Sequence, residues 1–264
     1  MAKLSYTATW GSYHEDYADN ATVANWIRSS IQANPLEGGM RALTFYQGRR
    51  GVIAFRGTDL NVSGISGQAD RCVAEVLEGQ ATLDDFCGQF SIRTLDYVAR
   101  ALEFADATAT AHPDVEWLYT GHSLGALLAQ VVAAVRGTGT LALGFSAPPV
   151  APVIRNHTSL DPTTLPAWQA LTLYNEWDPL RYEAKGQLPG ASCVWTVQPE
   201  PAGCQECDTF EPGPNMSSPT CRECFLNTHV FALYLGLVRS RRRPESCGQE
   251  AGGEGGQGAA ALFL

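Results

Sequence analysis

Residues 116–135 read EWLYTGHSLGALLAQVVAAV, and this stretch decides the fold. Residues 116–120 have the composition of a short strand, and the apolar run 124–135 has the length of a buried helix. Between them the pentapeptide GHSLG, residues 121–125, has the pattern G-x-S-x-G. The pentapeptide alone arises by chance, but a strand before it and an apolar helix after it form the setting of a nucleophile elbow.

The elbow hypothesis makes Ser123 a nucleophile. Such a turn holds the serine in a strained backbone conformation, and the residues two places away on either side must be nearly free of side chain. Gly121 and Gly125 meet that requirement. The helix that follows directs its first N–H groups, and a partial positive charge, at the reacting centre.

The remaining pattern predicts alternating strands and helices. Strands are expected at 41–46, 52–55, 141–145 and 171–174, and helices at 21–31 and at about 91–110. This alternation indicates the α/β class, with a mostly parallel central sheet and helices on both faces. The chain has 264 residues, which suits one sizeable core, so residues 1–240 are predicted to form a single domain. Residues 244–264 are rich in Gly, Ala and Glu and are predicted to be disordered.

A serine hydroxyl needs a neighbouring base and a carboxylate that orients the base. In α/β-hydrolases the chain order is serine, acid, histidine. Asp178 follows the strand predicted at 171–174, at the sheet edge where catalytic groups are presented. With Asp178 as the acid, His229 is the one histidine further along the chain. The sequence therefore predicts a triad of Ser123, His229 and Asp178.

Other acids and histidines remain possible. Asp161 also precedes a proline, and Asp208 lies in the cysteine-rich segment. His122 adjoins the nucleophile but should point away from it and pack. The remaining histidines are interpreted as surface or helix-end residues: His14, His112 and His157.

The net charge and the numbers of cysteines and glycosylation sequons bear on the class of function and on the cellular compartment. A net charge of −9 argues against binding nucleic acid. No stretch approaches the roughly 20 apolar residues that cross a bilayer. The first residues lack the apolar core of a signal peptide, which taken literally indicates the cytoplasm. Eight cysteines and four glycosylation sequons, at Asn20, Asn61, Asn156 and Asn215, instead favour secretion or the secretory pathway.

Several motifs together resemble the class 3 (fungal-type) lipases of the α/β-hydrolase superfamily. They are VIAFRGTD at 52–59, GHSLG at 121–125, FSAP at 145–148, Asp178 before a proline, and the late His229. The separations also resemble that family, with 55 residues from Ser123 to Asp178 and 51 more to His229. The resemblance implies an oxyanion hole formed by Thr58 and by the N–H of Leu124.

The resemblance also implies a lid after the Arg-Gly-Thr segment, at residues 60–80. The apolar residues Val73, Val76 and Leu77 suit a flap that opens at a lipid surface, and they suit equally a small helix packed on the core. Two positions depart from the family pattern. Residues 87–90 read CGQF where many relatives have His-x-Gly-Phe, and Ala126 replaces a glycine often seen after the elbow.

The insertion 199–224 carries two Cys-x-x-Cys pairs, at 204/207 and 221/224, which could bind structural zinc. The other cysteines and the sequons favour disulfides, and Cys72 with Cys87 could close a lid-sized loop. Either way the insertion would stabilise the chain between Asp178 and His229.

The predicted function is hydrolysis of carboxylic esters of lipids, as in a triacylglycerol lipase, through an acyl-enzyme on Ser123. Feruloyl-type esterases and phospholipases share the scaffold, and a non-catalytic lipase-like interaction protein is the alternative of another class. The expected substrate is a lipid or another ester, met at a lipid–water interface. No metal and no other cofactor is expected, and the sequence gives no oligomeric state.

Overall fold

The fold is that of a computed structural model, which describes residues 27–32, 39–59, 65–77, 86–166, 169–205, 207 and 218–249. One eight-stranded sheet has the spatial order β1 to β8, the same as the chain order. Neighbours from β3 to β7 are parallel, whereas β1–β2, β2–β3 and β7–β8 are antiparallel. The strands are β1 Ile27–Gln32, β2 Arg41–Gln47, β3 Arg50–Phe55, β4 Glu116–His122, β5 Leu141–Phe145, β6 Ala170–Asn175, β7 Ala191–Trp195 and β8 Ser246–Gln249.

The central strands are buried because helices cover both faces of the parallel region. All six residues of β6 and the last five of β3 are buried, as expected for parallel strands with continuous apolar composition. The helices are α1 Ile65–Leu77, α2 Ile92–Leu95, α3 Tyr97–Ala111, α4 Leu124–Arg136, α5 Ala151–His157, α6 Pro179–Glu183, α7 Pro219–Thr228 and α8 Phe231–Arg239.

Helix α4 is the centre of the core. Its residues from Leu124 to Ala134 are all buried, and it ends where Gly137 adopts a positive φ of 81°. This helix contacts β3, β4, β5 and β6 as well as α3. The α/β-hydrolase fold predicted from the sequence is confirmed by this parallel sheet and its elbow.

The described part of the lid candidate 60–80 is helix α1, and its apolar face packs into the core. Ala69, Cys72, Val73 and Leu77 are buried. A disulfide joins Cys72 to Cys87. This is the core-packing alternative that the sequence left open. Residues 60–64 and 78–80 lie outside the described ranges.

The helix predicted at 21–31 is wrong for its last part. Residues 27–31 belong to β1, which pairs with β2 in the register Ile27↔Tyr46; residues 21–26 are outside the described ranges. The helix predicted at 91–110 is two helices, α2 and α3. The break falls at Asp96, whose side chain accepts a hydrogen bond from the N–H of Ala99 and so caps α3.

The disorder predicted for 244–264 is wrong at its start. Residues 246–249 form the edge strand β8, paired with β7. A disulfide between Cys193 and Cys247 joins the two strands. Cross-strand pairing and a covalent link order a segment whose composition lacks apolar residues. Residues 250–264 lie outside the described ranges.

Candidate active site

The elbow has the geometry that its glycines imply. Ser123, between β4 and α4, has φ 57° and ψ −128°, a strained conformation for a residue with a side chain. A Cβ on Gly121 would lie 2.2 Å from the main-chain carbon of Gly125, and a Cβ on Gly125 would lie 2.3 Å from the carbonyl oxygen of Phe55. Both contacts are far closer than van der Waals distance, so only glycine fits at either position.

The two residues predicted for the oxyanion hole are Leu124, directly after Ser123, and Thr58, after the end of β3. Leu124 is the first residue of α4, and the first N–H groups of a helix have no partner within the helix. Gly125 packs against the main chain of Phe55 and Arg56 at the end of β3. Thr58 is half-buried two residues further on. The assignment of both donors stays a prediction.

Helix α7 positions His229 beside Ser123. It is the C-terminal cap of that helix, and its N–H donates to the carbonyl of Phe225 at 2.8 Å. Its ring Nε2 lies 2.9 Å from Ser123 Oγ, hydrogen-bond distance for a base and a hydroxyl. The ring lies between two others, with the Phe225 centroid at 4.6 Å and the His122 centroid at 4.8 Å.

The cysteines of the insertion anchor α7. Cys204 is bonded to Cys224 and Cys207 to Cys221, so both bonds reach that helix. These disulfides take up the four thiols that the zinc hypothesis required. No group of three His, Cys, Asp or Glu side chains within the described ranges is arranged to hold a metal ion.

Asp178 is the carboxylate behind His229. It begins α6, where its Oδ1 accepts from the N–H of Leu180 at 3.0 Å, and it is 0% exposed. Its two oxygens lie 3.4 Å and 3.3 Å from His229 Nδ1. Burial alone would raise the pKa of Asp178, but the charge and hydrogen bond of His229, with further hydrogen bonds from Ser146 and Tyr234, bring that pKa below its ordinary value.

Three residues of this network were not predicted from the sequence. The hydroxyl of Ser146 donates to Asp178 Oδ2 and lies 2.8 Å from His229 Nδ1. Tyr234 donates to the same carboxylate oxygen at 2.6 Å. The side chain of Asn175 donates to Tyr234 and to the carbonyl of Thr228, next to His229. Ser146 and Asn175 each directly follow a predicted strand, 141–145 and 171–174, and Ser146 also lies in the FSAP motif. Tyr234 offers no such signal.

His122 packs, as predicted, but its ring lies against that of His229 at 4.8 Å between centroids. Its ring also contacts Phe231, at 5.3 Å between centroids. Burial lowers the pKa of His122 to about 3, so it is neutral at physiological pH and adds no charge beside His229.

The remaining candidates lie apart from this network or beyond the described chain. Asp161 is exposed and caps a short turn by accepting from the N–H of Thr163 at 2.9 Å. His157 lies 3.1 Å from the carbonyl oxygen of Val76, where it joins α5 to α1. His112 ends α3. His14 and Asp208 lie outside the described ranges.

The chain has the α/β-hydrolase fold, and Ser123, His229 and Asp178 lie in one hydrogen-bonded line at its elbow. Such a line of hydroxyl, imidazole and carboxylate can activate the hydroxyl for attack on a carbonyl carbon. No helix in the described ranges combines the length and apolarity needed to span a membrane.

Fungal lipases are among the solved structures to which this chain is similar. A lipase from Rhizopus microsporus var. chinensis is 12% identical over 71% of this chain and 66% of its own, just under two thirds of its length, with a TM-score of 0.39. Lipase II from Rhizopus niveus is 14% identical over 73% and 77% of the two chains, with a TM-score of 0.43.

A dienelactone hydrolase from Anabaena variabilis is 15% identical over 66% of this chain and 86% of its own, with a TM-score of 0.37. No protein-family profile matches the sequence. No curated protein sequence matches it at a significant level. With identities of 12–15%, the substrate of this chain has to be inferred from its own residues.

Proposed function

We propose that this protein is a serine hydrolase that cleaves carboxylic esters, with Ser123 as the nucleophile. The observation that carries the proposal is the 2.9 Å separation of His229 Nε2 from Ser123 Oγ. The opposite ring nitrogen faces a buried carboxylate, which holds the imidazole in one orientation and stabilises the cation that forms during the reaction.

In the proposed reaction Nε2 of His229 removes the proton of Ser123 as Oγ attacks the ester carbonyl carbon. The resulting oxyanion is bound by the N–H groups of Leu124 and Thr58. The imidazolium then protonates the leaving alcohol, which leaves an acyl group on Ser123. A water molecule, deprotonated by His229, attacks the acyl-enzyme and releases the carboxylic acid and the free serine.

The surroundings of His229 favour an apolar acyl group. Leu226 is 49% exposed and Val230 is 37% exposed, and the two lie on either side of His229 in the chain. Phe225 stacks on the imidazole. Exposed aliphatic side chains close in the chain to the proposed base suit a fatty acyl chain or a lipid surface, so we propose a lipid ester, of the triacylglycerol type, as substrate. Feruloyl-type esters and phospholipids are the alternatives on the same scaffold.

We also propose that the protein works outside the cytoplasm. The four disulfides in the described chain require an oxidising compartment. Asn156 lies exposed on α5 within a glycosylation sequon.

A fluorophosphonate probe and a series of nitrophenyl esters test the activity. The wild-type protein should be labelled and should hydrolyse esters, whereas Ser123→Ala should do neither, because the probe reacts only with an activated serine. Ser159→Ala, at an exposed serine of the same chain, is the matched control. Labelling that survives Ser123→Ala would refute the nucleophile, and a wild type without labelling would favour the non-catalytic alternative. Preference for short soluble esters would refute the lipid substrate and leave an esterase.

A further inference from the structure

Ser146 shares, one strand along, the positive φ of Ser123. Ser123 follows β4 and Ser146 follows β5, and the two have φ values of 57° and 55°. The N–H of Ser123 donates to the carbonyl of Phe145 at 2.9 Å, and the N–H of Ser146 donates to the carbonyl of Leu173 at 2.9 Å. Two adjacent parallel strands therefore each end in a serine in the left-handed region.

The side chain of Ser146 indicates that this residue has a role in the site. Glycine adopts a positive φ freely, whereas serine at such a position is strained. Ser146 is nevertheless 0% exposed, and its hydroxyl lies between the carboxylate of Asp178 and the imidazole of His229. A strained residue whose buried polar group reaches the reacting network is a candidate for a function in it.

The distances make this hydroxyl the nearest partner of the imidazole. Ser146 Oγ lies 2.8 Å from His229 Nδ1, whereas the two Asp178 oxygens lie 3.3 Å and 3.4 Å from the same nitrogen. An ionised carboxylate only accepts hydrogen bonds, so the Ser146 hydroxyl must donate its proton to Asp178. Its oxygen is then an acceptor toward Nδ1, which must carry the ring proton.

We propose that Ser146 is a positioning residue that relays the orienting effect of Asp178 to His229. The inference rests on the proposed function. The proton stays on Nδ1, donated to Ser146, and this fixes the tautomer in which Nε2 presents its lone pair to Ser123. The hydroxyl transfers no proton to Asp178. When Nε2 takes the proton of Ser123, Ser146 and the carboxylate behind it together stabilise the imidazolium.

Tyr234 provides an internal control for this proposal. Its hydroxyl donates to the same oxygen of Asp178, at 2.6 Å, and accepts from the main-chain and side-chain N–H groups of Asn175. Tyr234 and Ser146 therefore both hold the carboxylate, but Ser146 is the hydroxyl placed at hydrogen-bond distance from Nδ1. If Ser146 only anchored Asp178, removing its hydroxyl would have the same effect on kcat as removing that of Tyr234.

The test compares Ser146→Gly with Tyr234→Phe by kcat and KM for a nitrophenyl ester and by Tm. Glycine removes the hydroxyl and accepts φ 55°, so Ser146→Gly should keep its Tm and KM while kcat falls about 10- to 100-fold, as for loss of a hydrogen bond to a charged group. Tyr234→Phe should show a smaller decrease in kcat and a larger decrease in Tm than Ser146→Gly. Ser146→Ala, which keeps the strained backbone, should lose kcat in the same range and serves if Ser146→Gly does not fold.

A double variant tests whether Ser146 and Asp178 act in series. With Asp178→Asn already present, Ser146→Gly should lower kcat by less than about threefold further, because a relay has nothing left to transmit. The relay is overturned by a Ser146→Gly kcat within about twofold of wild type, by an equal or larger kcat loss in Tyr234→Phe, or by additive losses in the double variant. A wild type that the fluorophosphonate does not label at Ser123 removes the proposed function and the relay together, whereas normal labelling with any of these results removes the relay alone.

Discussion

The molecule buries two carboxylates in similar settings with different partners. Asp178, at the start of α6, and Asp70, on α1, are both buried, and each accepts a hydrogen bond from a tyrosine hydroxyl. Asp70 faces Arg56, with Nη2 at 2.6 Å, and arginine keeps its charge at all physiological pH values. Asp178 faces the imidazole of His229, whose Nδ1 lies 3.3 Å from its Oδ2.

The consequences for the two acids are opposite. At Asp70 burial raises the pKa, although Arg56, Tyr97 and the N–H of Asp59 all favour the ionised form. At Asp178 burial has the same tendency, but the imidazole and the two hydroxyls outweigh it and the pKa is lowered. The Arg56–Asp70 pair joins α1 to the end of β3, whereas a carboxylate held ionised beside an imidazole can support chemistry.

The largest expected difference between the two sites is in catalysis. Asp178→Asn should lower kcat about 10⁴-fold with a small change in Tm, because an amide can stabilise the wrong tautomer of His229 while filling the same space. Ester hydrolysis measured beside thermal unfolding separates the two effects. Asp161→Asn, at the rival acid, is the control, and a larger loss there than in Asp178→Asn would reverse the assignment.

The reverse pattern is expected at the other carboxylate. Asp70→Asn places an amide NH2 among the three donors that Asp70 accepts from, on Arg56, Tyr97 and Asp59. Because a buried donor then loses its acceptor, the free energy of unfolding should fall by about 1–3 kcal/mol. Its kcat per folded molecule should fall far less than that of Asp178→Asn. Urea unfolding measures the first effect, and combining Asp70→Leu with Arg56→Met should recover part of the loss. A loss of kcat in Asp70→Asn as large as that in Asp178→Asn would instead place Asp70 in the catalytic network.

The disulfide beside Asp70 tests whether α1 moves. The Cys72–Cys87 bond has a sequence separation of 15, and closing a loop of that size stabilises a protein by about 3 kcal/mol. Cys72→Ser with Cys87→Ser should lower the unfolding free energy by this order while activity toward nitrophenyl esters stays level. Increased hydrolysis of long-chain esters in the double variant would instead indicate that α1 is a lid held closed.

The smallest effect is the pH dependence of stability, and its sign should differ between the acids. Asp178 has a lowered pKa when folded, so its charge stabilises above the ordinary pKa of about 3.9, and that contribution is lost as the pH falls below it. Asp70 has a raised pKa, so its contribution is largest at low pH and declines as the pH rises through the folded value. The stability advantage of wild type over Asp178→Asn should therefore shrink from pH 6 to pH 3, and the advantage over Asp70→Asn should grow. Urea unfolding at pH 6 and pH 3 measures both stability differences. A change in the same direction for the two variants would contradict the comparison.

The parts of the site that the sequence predicted are those fixed by local rules. The elbow needs glycine at 121 and 125 because main-chain atoms come within 2.3 Å of where a Cβ would stand, and that requirement is visible in five residues. Chain order then led to Asp178 and His229. Ser146 and Tyr234 reach Asp178 from 32 and 56 residues away, and no local pattern encodes such a meeting.

The errors in the fold have the same origin. Residues 27–31 have an amphipathic spacing that suits a helix, yet pairing with β2 makes them a strand, since tertiary contacts override weak local preferences. Residues 246–249 lack apolar character, and their order comes from β7 and from Cys193. In both cases the order depends on pairing with another strand, which the periodicity of the segment itself does not contain.

The two disulfides on α7 place the proposed general base at the end of a covalently tethered helix. Cys221 and Cys224 are bonded to Cys207 and Cys204, and the helix ends at His229. The strand and helix on either side of Ser123, β4 and α4, contain no cysteine. Mild reduction should therefore separate imidazole from hydroxyl before the sheet melts, and the protein would lose turnover in a reducing environment while still resembling its native form by circular dichroism.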